Sequence, residues 1–489
     1  MKNWIIIFLF LSNSLFAQFD MNEQIQKAYS HILNLEFDIA HQIIASEIKE
    51  NPKNGLIHLQ KNYIDFLTII ISGDQEIYLS KKNNKFNRIK KIKLLDKDSP
   101  YYFYIQAEIH LQWAFTHVKF GDYTAGIYEF VKSYRLLLKN QELYPDFLLN
   151  KKSLGIINCI LGSIPSNYTW LLELAGIEGD IQKGILQLEN VLFHSSTALY
   201  HTELFFLISF LQSHLINDDL VLQQYLEQIG KDYSKNILLN FAAANLSARL
   251  GLNDYCIKVL ENKPVSKTSI SFSYLDYLLG LAKLYQLNYE EASFWLNKFI
   301  LQNNDVDYKK SAYHKLAWIS YLQGDINKMN KYFFKVKKHG LLTLDVDKKA
   351  HKDAEKTFVS HEILLKSRLL YDGGYYTKAF QELENIQPHM FSNRENITEY
   401  WYRLARIRSK LNYNDNDVIS CYIQSYNLGI KLSSYFSPMS ALQIGLIYEE
   451  QNDFENAKIY FDKCLEISGF DYERGIHQKA KAGKERINY

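Results

Sequence analysis

The chain has 489 residues, of which 47% are apolar and 22% are charged, and this composition excludes an intrinsically disordered protein. The net charge of +2 excludes a general electrostatic attraction to nucleic acid or to anionic lipid. Only 7 residues are proline, whereas 36 are tyrosine and 29 are phenylalanine. Few prolines suit a helical chain, because an interior proline removes a helix hydrogen bond and clashes with the preceding turn.

Residues 1–17 have the layout of a secretory signal peptide. Lys2 precedes an apolar run from Ile5 to Leu11, and Ala17 offers a small residue for cleavage. The apolar run is shorter than the roughly 20 residues that span a membrane. The sequence therefore predicts export to the periplasm or cell surface and a mature chain without a transmembrane segment. A retained anchor and a buried first helix are the alternatives.

A small residue, a polar turn and a second small or compact residue recur along the chain at a fixed distance. The pairs are Ala28 and Ala40, Ala114 and Gly126, Ala244 and Cys256, Gly280 and Ala292, Ala317 and Met329, Ser367 and Ala379, and Gly445 and Ala457. Two helices that cross at such a pair can pack closely, and the polar turn ends one helix and begins the next. The pattern predicts a series of amphipathic helix pairs.

The turns of several pairs contain an aspartate four residues before the second small position. These are Asp122, Asp180, Asp325 and Asp453. The first amides of a helix have no partner within the helix, and an aspartate side chain can accept hydrogen bonds from them. Each of these aspartates is therefore predicted to cap the second helix of its pair.

The clearest copy of the unit runs from Ala441 to Leu465, where Tyr448 and Phe461 are predicted to fill the space around the crossing. From Ala244 onward, successive copies begin about 36 to 40 residues apart, with one longer spacing of about 50. This pattern resembles the tetratricopeptide repeat (TPR), whose period is about 34 residues. The resemblance implies an all-α fold, a right-handed superhelical solenoid of TPR-like helix pairs, and a role in protein binding.

Residues 154–188 form a segment that is rich in glycine and contains an Ile164-Pro165 step. Together with the upstream residues, the region 99–188 resembles the eukaryotic inclusion-body-clearance family of TPR proteins, and the resemblance implies a non-enzymatic adaptor. A phosphate-binding loop is excluded, because the segment lacks the GxxxxGK[ST] pattern. Close packing between helices explains the glycines instead.

Residues 335–356 are rich in Lys and Asp and supply the long spacing. They are predicted to be a hinge between two halves of the solenoid. The predicted domains are the signal peptide 1–17, the N-terminal TPR-like repeats 18–340 and the C-terminal repeats 341–489, which end in a polar capping helix after Asp471.

The sequence contains no convincing catalytic or metal-binding motif. His361 and Glu362 begin like a zinc-binding HExxH helix, but Leu365 occupies the place of the second histidine. The four cysteines form no CxxC pair and are predicted to be buried thiols, with a disulfide as the alternative; they are Cys159, Cys256, Cys421 and Cys464. The chain is therefore predicted to be a non-enzymatic protein that uses no cofactor.

The remaining candidate is a binding surface. In TPR stacks the first helix of each pair lines a concave groove, which places candidates three before, one after and four after the first small residue. Counted from Gly280, Ala317 and Ser367 they are Tyr277, His314, Trp318, Tyr321, Arg368 and Tyr371, and counted from Ala405, a further first small residue, they are Tyr402, Arg406 and Ser409. Aromatic side chains bury area and arginine pairs with carboxylates, so we expect a peptide or protein partner with an acidic group and no nucleic acid. The alternatives are that several aromatics belong to the repeat cores and that the groove binds a glycan.

Overall fold

The structure is a computed structural model that describes residues 18–163, 179–215, 218–265, 270–302 and 307–487. Throughout these residues the regular secondary structure is helical and no strand occurs, so the prediction of an all-α fold is confirmed. The predicted signal peptide, residues 1–17, lies outside the described residues, as does the centre of the glycine-rich segment, residues 164–178.

The chain divides into two units, Met1–Leu246 with Val259–Phe272 and Asn303–Asp305, and Ser247–Lys258 with Ser273–Gln302 and Val306–Tyr489. The predicted boundary after residue 340 lies inside the second unit and stays a prediction. Two helices run across the division, α12 (Ile237–Arg249) and α13 (Asn253–Glu261).

The first unit contains consecutive helices that pack as neighbours, with α1 on α2, α6 on α7, and α8 on α9. Its helices are α1 (Glu23–Leu33), α2 (Phe37–Glu50), α3 (Leu56–Ser72), α4 (Gln75–Lys81), α5 (Asn84–Ile92), α6 (Pro100–Lys119), α7 (Tyr123–Leu143), α8 (Leu149–Gly162), α9 (Ile181–Leu192), α10 (His201–Leu215) and α11 (Asp219–Ile229). A Cβ added to Gly155 would lie 2.8 Å from the carbonyl oxygen of Gly184. These two glycines therefore permit the close approach of α8 and α9, as the packing interpretation predicts.

The second unit is a stack of helix pairs, and the second helix of a pair packs on the first helix of the next at α15 and α16, at α20 and α21, and at α22 and α23. Its helices are α14 (Tyr274–Tyr285), α15 (Tyr289–Gln302), α16 (Lys309–Leu322), α17 (Ile326–Lys338), α18 (Asp345–Lys356), α19 (Glu362–Asp372), α20 (Tyr376–Gln381), α21 (Arg394–Lys410), α22 (Asp415–Gly429), α23 (Phe436–Glu450), α24 (Phe454–Glu466) and α25 (Glu473–Ile487). The predicted pairs are present as α14 with α15, α16 with α17, α19 with α20, and α23 with α24. Helix α18 is an addition to this pattern.

The predicted aspartate caps are confirmed. The side chain of each accepts a hydrogen bond from the backbone amide three residues ahead: Asp122 from Ala125 at 3.2 Å, Asp180 from Lys183 at 2.9 Å, Asp325 from Lys328 at 2.8 Å and Asp453 from Asn456 at 3.2 Å. Each cap satisfies an amide that the helix itself leaves unpaired, and so fixes where the second helix of a pair begins.

Among the described residues, no helix is both long enough and apolar enough to cross a membrane. The four cysteines are buried free thiols. Burial raises the pKa of the Cys256 and Cys464 thiols to about 12, so these side chains stay protonated and act as small apolar groups.

Candidate functional site

The predicted groove residues lie in the second unit, but they differ in accessibility. Four of them are buried, Tyr277, His314, Trp318 and Tyr402, whereas Tyr321, Arg368, Tyr371 and Arg406 are half-buried and Ser409 is exposed. The Tyr277 hydroxyl is 2.8 Å from Oγ of Ser311, and its ring packs on Phe299. Tyr277 thus belongs to the interior between helices, which is the alternative that the sequence left open.

Helices α16, α19 and α21 bring three cations onto aromatic rings. Lys315 Nζ lies 3.5 Å from the centre of the Trp318 ring, and the Arg368 guanidinium lies 5.0 Å from the same ring. The Arg406 guanidinium lies 4.1 Å from the Tyr371 ring. Cations at these distances are attracted to the electron-rich ring faces. We call Lys315, Arg368 and Arg406 the stacked cations.

The stacked cations have few acidic partners. Arg368 Nε is 3.5 Å from a carboxylate oxygen of Asp372. Within the part of the chain that the structure describes, neither Lys315 nor Arg406 forms a salt bridge. Burial, together with the neighbouring Arg368 charge, lowers the pKa of Lys315 to about 7. An acidic ligand would favour the charged form of this lysine and pair with it.

A cavity of about 110 Å³ is lined in part by Arg368, one of the three stacked cations. Trp318 and Arg368 contribute to its lining, and α18 contributes another part with Lys349, Lys352 and Asp353. The Ser434 hydroxyl also lines the cavity; it is buried and has no hydrogen-bond partner among the described residues. A buried hydroxyl without a partner is costly, so a polar group placed in the cavity would find a hydrogen bond there.

One arginine of the cavity is already neutralised. Arg403 Nε donates to Glu399 Oε1 at 2.6 Å, and the Ser360 hydroxyl donates to the same oxygen at 3.2 Å. Both members of this ion pair are buried. Arg403 is therefore already paired within the cavity lining, whereas Lys315 and Arg406 form no salt bridge among the described residues.

A second polar cluster lies in the first unit and was missed by sequence reasoning. Lys152 is fully buried, and its Nζ lies 3.1 Å from Glu108 Oε2, 2.9 Å from Glu203 Oε2 and 3.0 Å from the Tyr63 hydroxyl. Burial alone would lower the pKa of Lys152, but the Glu108 and Glu203 carboxylates raise it well above its usual value. The lysine therefore stays charged and enclosed, paired with both carboxylates. The sequence feature that could have predicted this cluster is a charged residue, Lys152, within the mostly apolar helix α8.

No group of three or more metal-ligating side chains occurs within the described ranges. The tetratricopeptide-repeat family model matches residues 440–471, which include Gly445 and Ala457 of the clearest predicted copy. No curated protein matches the chain in sequence.

Several solved structures are similar to the chain at low identity. The APC/C hetero-tetramer Cut9-Hcn1 is 10% identical, over 96% of this chain and 100% of that chain, with a TM-score of 0.29. The P58(IPK) TPR domain is 14% identical, over 88% of this chain and 98% of that chain, with a TM-score of 0.22. Yeast Tom70 is 12% identical, over 94% of this chain and 88% of that chain, with a TM-score of 0.25.

Proposed function

We propose that this chain, which contains a tetratricopeptide repeat at residues 440–471, is a non-enzymatic scaffold that binds a protein or peptide partner. In this proposal the stacked cations and the adjoining cavity of the second unit receive an acidic segment of the partner. The observation that carries the proposal is that Lys315 and Arg406 lie against aromatic rings and form no salt bridge among the described residues.

The aromatic rings restrict the cationic side chains before a ligand binds. A guanidinium that stacks on a ring keeps its N–H edges free, and these edges match the two oxygens of a carboxylate. Because the ring already restricts the side chain, less conformational entropy is lost when the ligand binds. Arg406 stacks on Tyr371 and also forms a side-chain hydrogen bond with it, and Arg368 stacks on Trp318 at a longer distance.

A glycan ligand, the alternative from the sequence, would need an open aromatic face. Trp318 is only 5% exposed, and the Lys315 and Arg368 cations already lie against its ring. The proposal therefore favours an acidic peptide. A glycan array that gives hits with the wild type and none with Trp318→Ala would favour the sugar instead.

The binding test uses a fluorescein-labelled hexaglutamate peptide as the probe and hexaglutamine as the neutral comparison. We expect Arg406→Gln to weaken binding of hexaglutamate about tenfold or more, since a hydrogen-bonded charge pair is lost. Arg486→Gln is the matched control, because Arg486 is an exposed arginine of α25 that pairs with Glu449. Fluorescence anisotropy measures the affinities. Equal affinity of the wild type and Arg406→Gln, or equal binding of the neutral peptide, would contradict the proposal.

Export to the periplasm or cell surface is part of the same proposal, and the layout of residues 1–17 supports it. N-terminal sequencing of the protein purified from its own cells is the test. A mature chain that begins at Gln18 is expected, and a chain that still begins at Met1 would contradict export by cleavage.

A further inference from the structure

Helix α18 departs from the repeating pairs of the second unit. It lies in sequence between α17 and α19, and it packs on α16 and α17. Nine of its twelve residues, DVDKKAHKDAEK, are Asp, Glu, Lys or His, and its only buried apolar side chains are Ala350 and Ala354. Two alanines bury little apolar area, so polar contacts hold α18 in place.

The first of these contacts is at the start of α16. The Asp347 carboxylate accepts hydrogen bonds from the backbone amide of Tyr308 at 2.7 Å and from that of Ser311 at 2.8 Å. Tyr308 precedes α16 with a φ of 61° and its side chain makes no cap. Asp347 therefore supplies the cap that α16 lacks, and this ties the first turn of α18 to α16.

The second contact joins α18 to the segment before α25. Lys349 Nζ lies 3.1 Å from a carboxylate oxygen of Asp471, and Lys352 pairs with the other oxygen of the same carboxylate. Lys349 also pairs with Asp353 of its own helix at 2.8 Å. Asp471 thus anchors two lysines of α18 from a point more than a hundred residues away in the sequence.

Both contacts hold α18 against the proposed binding site. Lys349, Lys352 and Asp353 line the same cavity as Trp318 and Arg368. Asp353 also lies 3.6 Å from Nε2 of His314, one turn of α16 before Trp318. One side of α18 therefore forms part of the cavity wall, and its lysines hold a carboxylate of the chain itself.

We propose that α18 is a strap that detaches from Asp471 and so uncovers the Trp318 and Arg368 wall of the cavity. An acidic partner would compete with Asp471 for Lys349 and Lys352, and would favour the open state by binding it more tightly than the closed one. A helix with little buried apolar area opens locally while the rest of the unit stays folded. The identity of the competing ligand rests on the proposed function, whereas the detachment does not.

Asp471→Asn tests the strap in the absence of any ligand. We expect amide hydrogen exchange of residues 345–356 to become about tenfold faster and hydroxyl-radical labelling of Trp318 to increase. Asp462→Asn is the matched control, because Asp462 of α24 pairs with Lys484 of α25 and so also joins two helices. The control is expected to exchange and label like the wild type in both regions.

Two other outcomes overturn the inference, and a third is decided by a second variant. If Asp471→Asn behaves like Asp462→Asn, Asp471 does not hold the strap. If exchange in residues 345–356 rises while Trp318 stays unlabelled, α18 does not cover the wall. If Asp471→Asn loosens the whole unit, Lys352→Gln decides, because it removes one contact and keeps the Asp471 carboxylate; exchange confined to residues 345–356 is then expected, and unchanged exchange there refutes the strap.

The hexaglutamate probe separates this inference from the proposed function. Tighter binding to Asp471→Asn than to Asp462→Asn is expected if the strap competes with the ligand. Equal binding of the probe to both variants refutes the competition. Failure of the probe to bind any variant refutes the proposed function, while the exchange and labelling results still decide whether the strap exists.

Discussion

Gly445 of α23 faces the ring of Phe461 of α24 so closely that a Cβ on the glycine would lie 2.6 Å from two ring carbons. The same ring approaches Gly483 of α25, where an added Cβ would lie 2.5 Å away. Phe461 is fully buried. The two glycines therefore make room for one large side chain that joins three consecutive helices, and this explains why a small residue recurs at the crossing.

Gly445→Ala is expected to destabilise the second unit by about 1 to 3 kcal/mol, because the added methyl group overpacks the crossing. Gly475→Ala is the control, since a Cβ at Gly475 of α25 has no heavy atom within 4 Å. The control is expected to be neutral or slightly stabilising, because alanine is the better helix former. Urea unfolding followed by circular dichroism measures both. Equal stability of the two variants would contradict the tight crossing.

Lys152→Met is expected to destabilise the first unit by about 3 to 5 kcal/mol, because it leaves the buried Glu108 and Glu203 carboxylates without their shared cation. Lys151→Met is the matched control. Within the described chain, the one hydrogen bond of Lys151 Nζ goes to the amide oxygen of Asn190, at an exposed position. The free energy of unfolding is therefore expected to change by no more than about 0.5 kcal/mol. Guanidinium unfolding gives the comparison. A small effect of Lys152→Met would mean that the two carboxylates are neutral or hydrated.

Asp325→Ala is expected to cost about 1 kcal/mol, because it removes the side-chain cap of α17. Asp325→Ser keeps a capping oxygen and should recover most of that stability. Thermal unfolding of the two variants side by side provides the measurement. If both variants lose the same stability, charge rather than capping is responsible.

The helix pairs could be predicted because their signals are local. Small residues twelve positions apart mark the crossings, and an aspartate four positions before the second one marks the cap, as at Asp325 and Asp453. Packing of α18 could not be predicted in this way. Its contact with Asp471 depends on the stacking of every pair between them, and its two buried alanines give no clear apolar period.

The candidate site could be predicted in part for the same reason. Trp318, Arg368 and Arg406 were predicted by counting from the small residues. In the structure the Arg368 guanidinium lies against the Trp318 ring, and the Arg406 guanidinium lies against the Tyr371 ring. The count omitted Lys315, which lies two residues before Ala317, outside the three positions used. It included Tyr277, whose burial is decided by α15 and α16. The position of a residue along its helix predicts which way its side chain points, whereas the accessibility of that side chain depends on the next helix in the stack.

The pH dependence of the second unit tests the attachment of α18 at Asp347. Burial raises the pKa of the Asp347 carboxyl from 3.8 to about 6, against the opposing effect of hydrogen bonds from Ser311 and Tyr308. The folded state therefore binds a proton more readily than the unfolded state, and the free energy of unfolding falls as the pH rises from about 4 to about 6. The contribution of this group is at most about 2 to 3 kcal/mol.

Asp347→Asn removes this titration and imitates the protonated carboxyl. We expect the wild type to lose stability relative to Asp347→Asn between about pH 4 and pH 6, and the difference to level off above that range, because the group is then ionised in both states. Urea unfolding of the two proteins at several pH values gives the difference directly, and the other titrating groups cancel. A wild type that gains stability over Asp347→Asn as the pH rises would show that the ionised carboxylate is the form that the start of α16 stabilises.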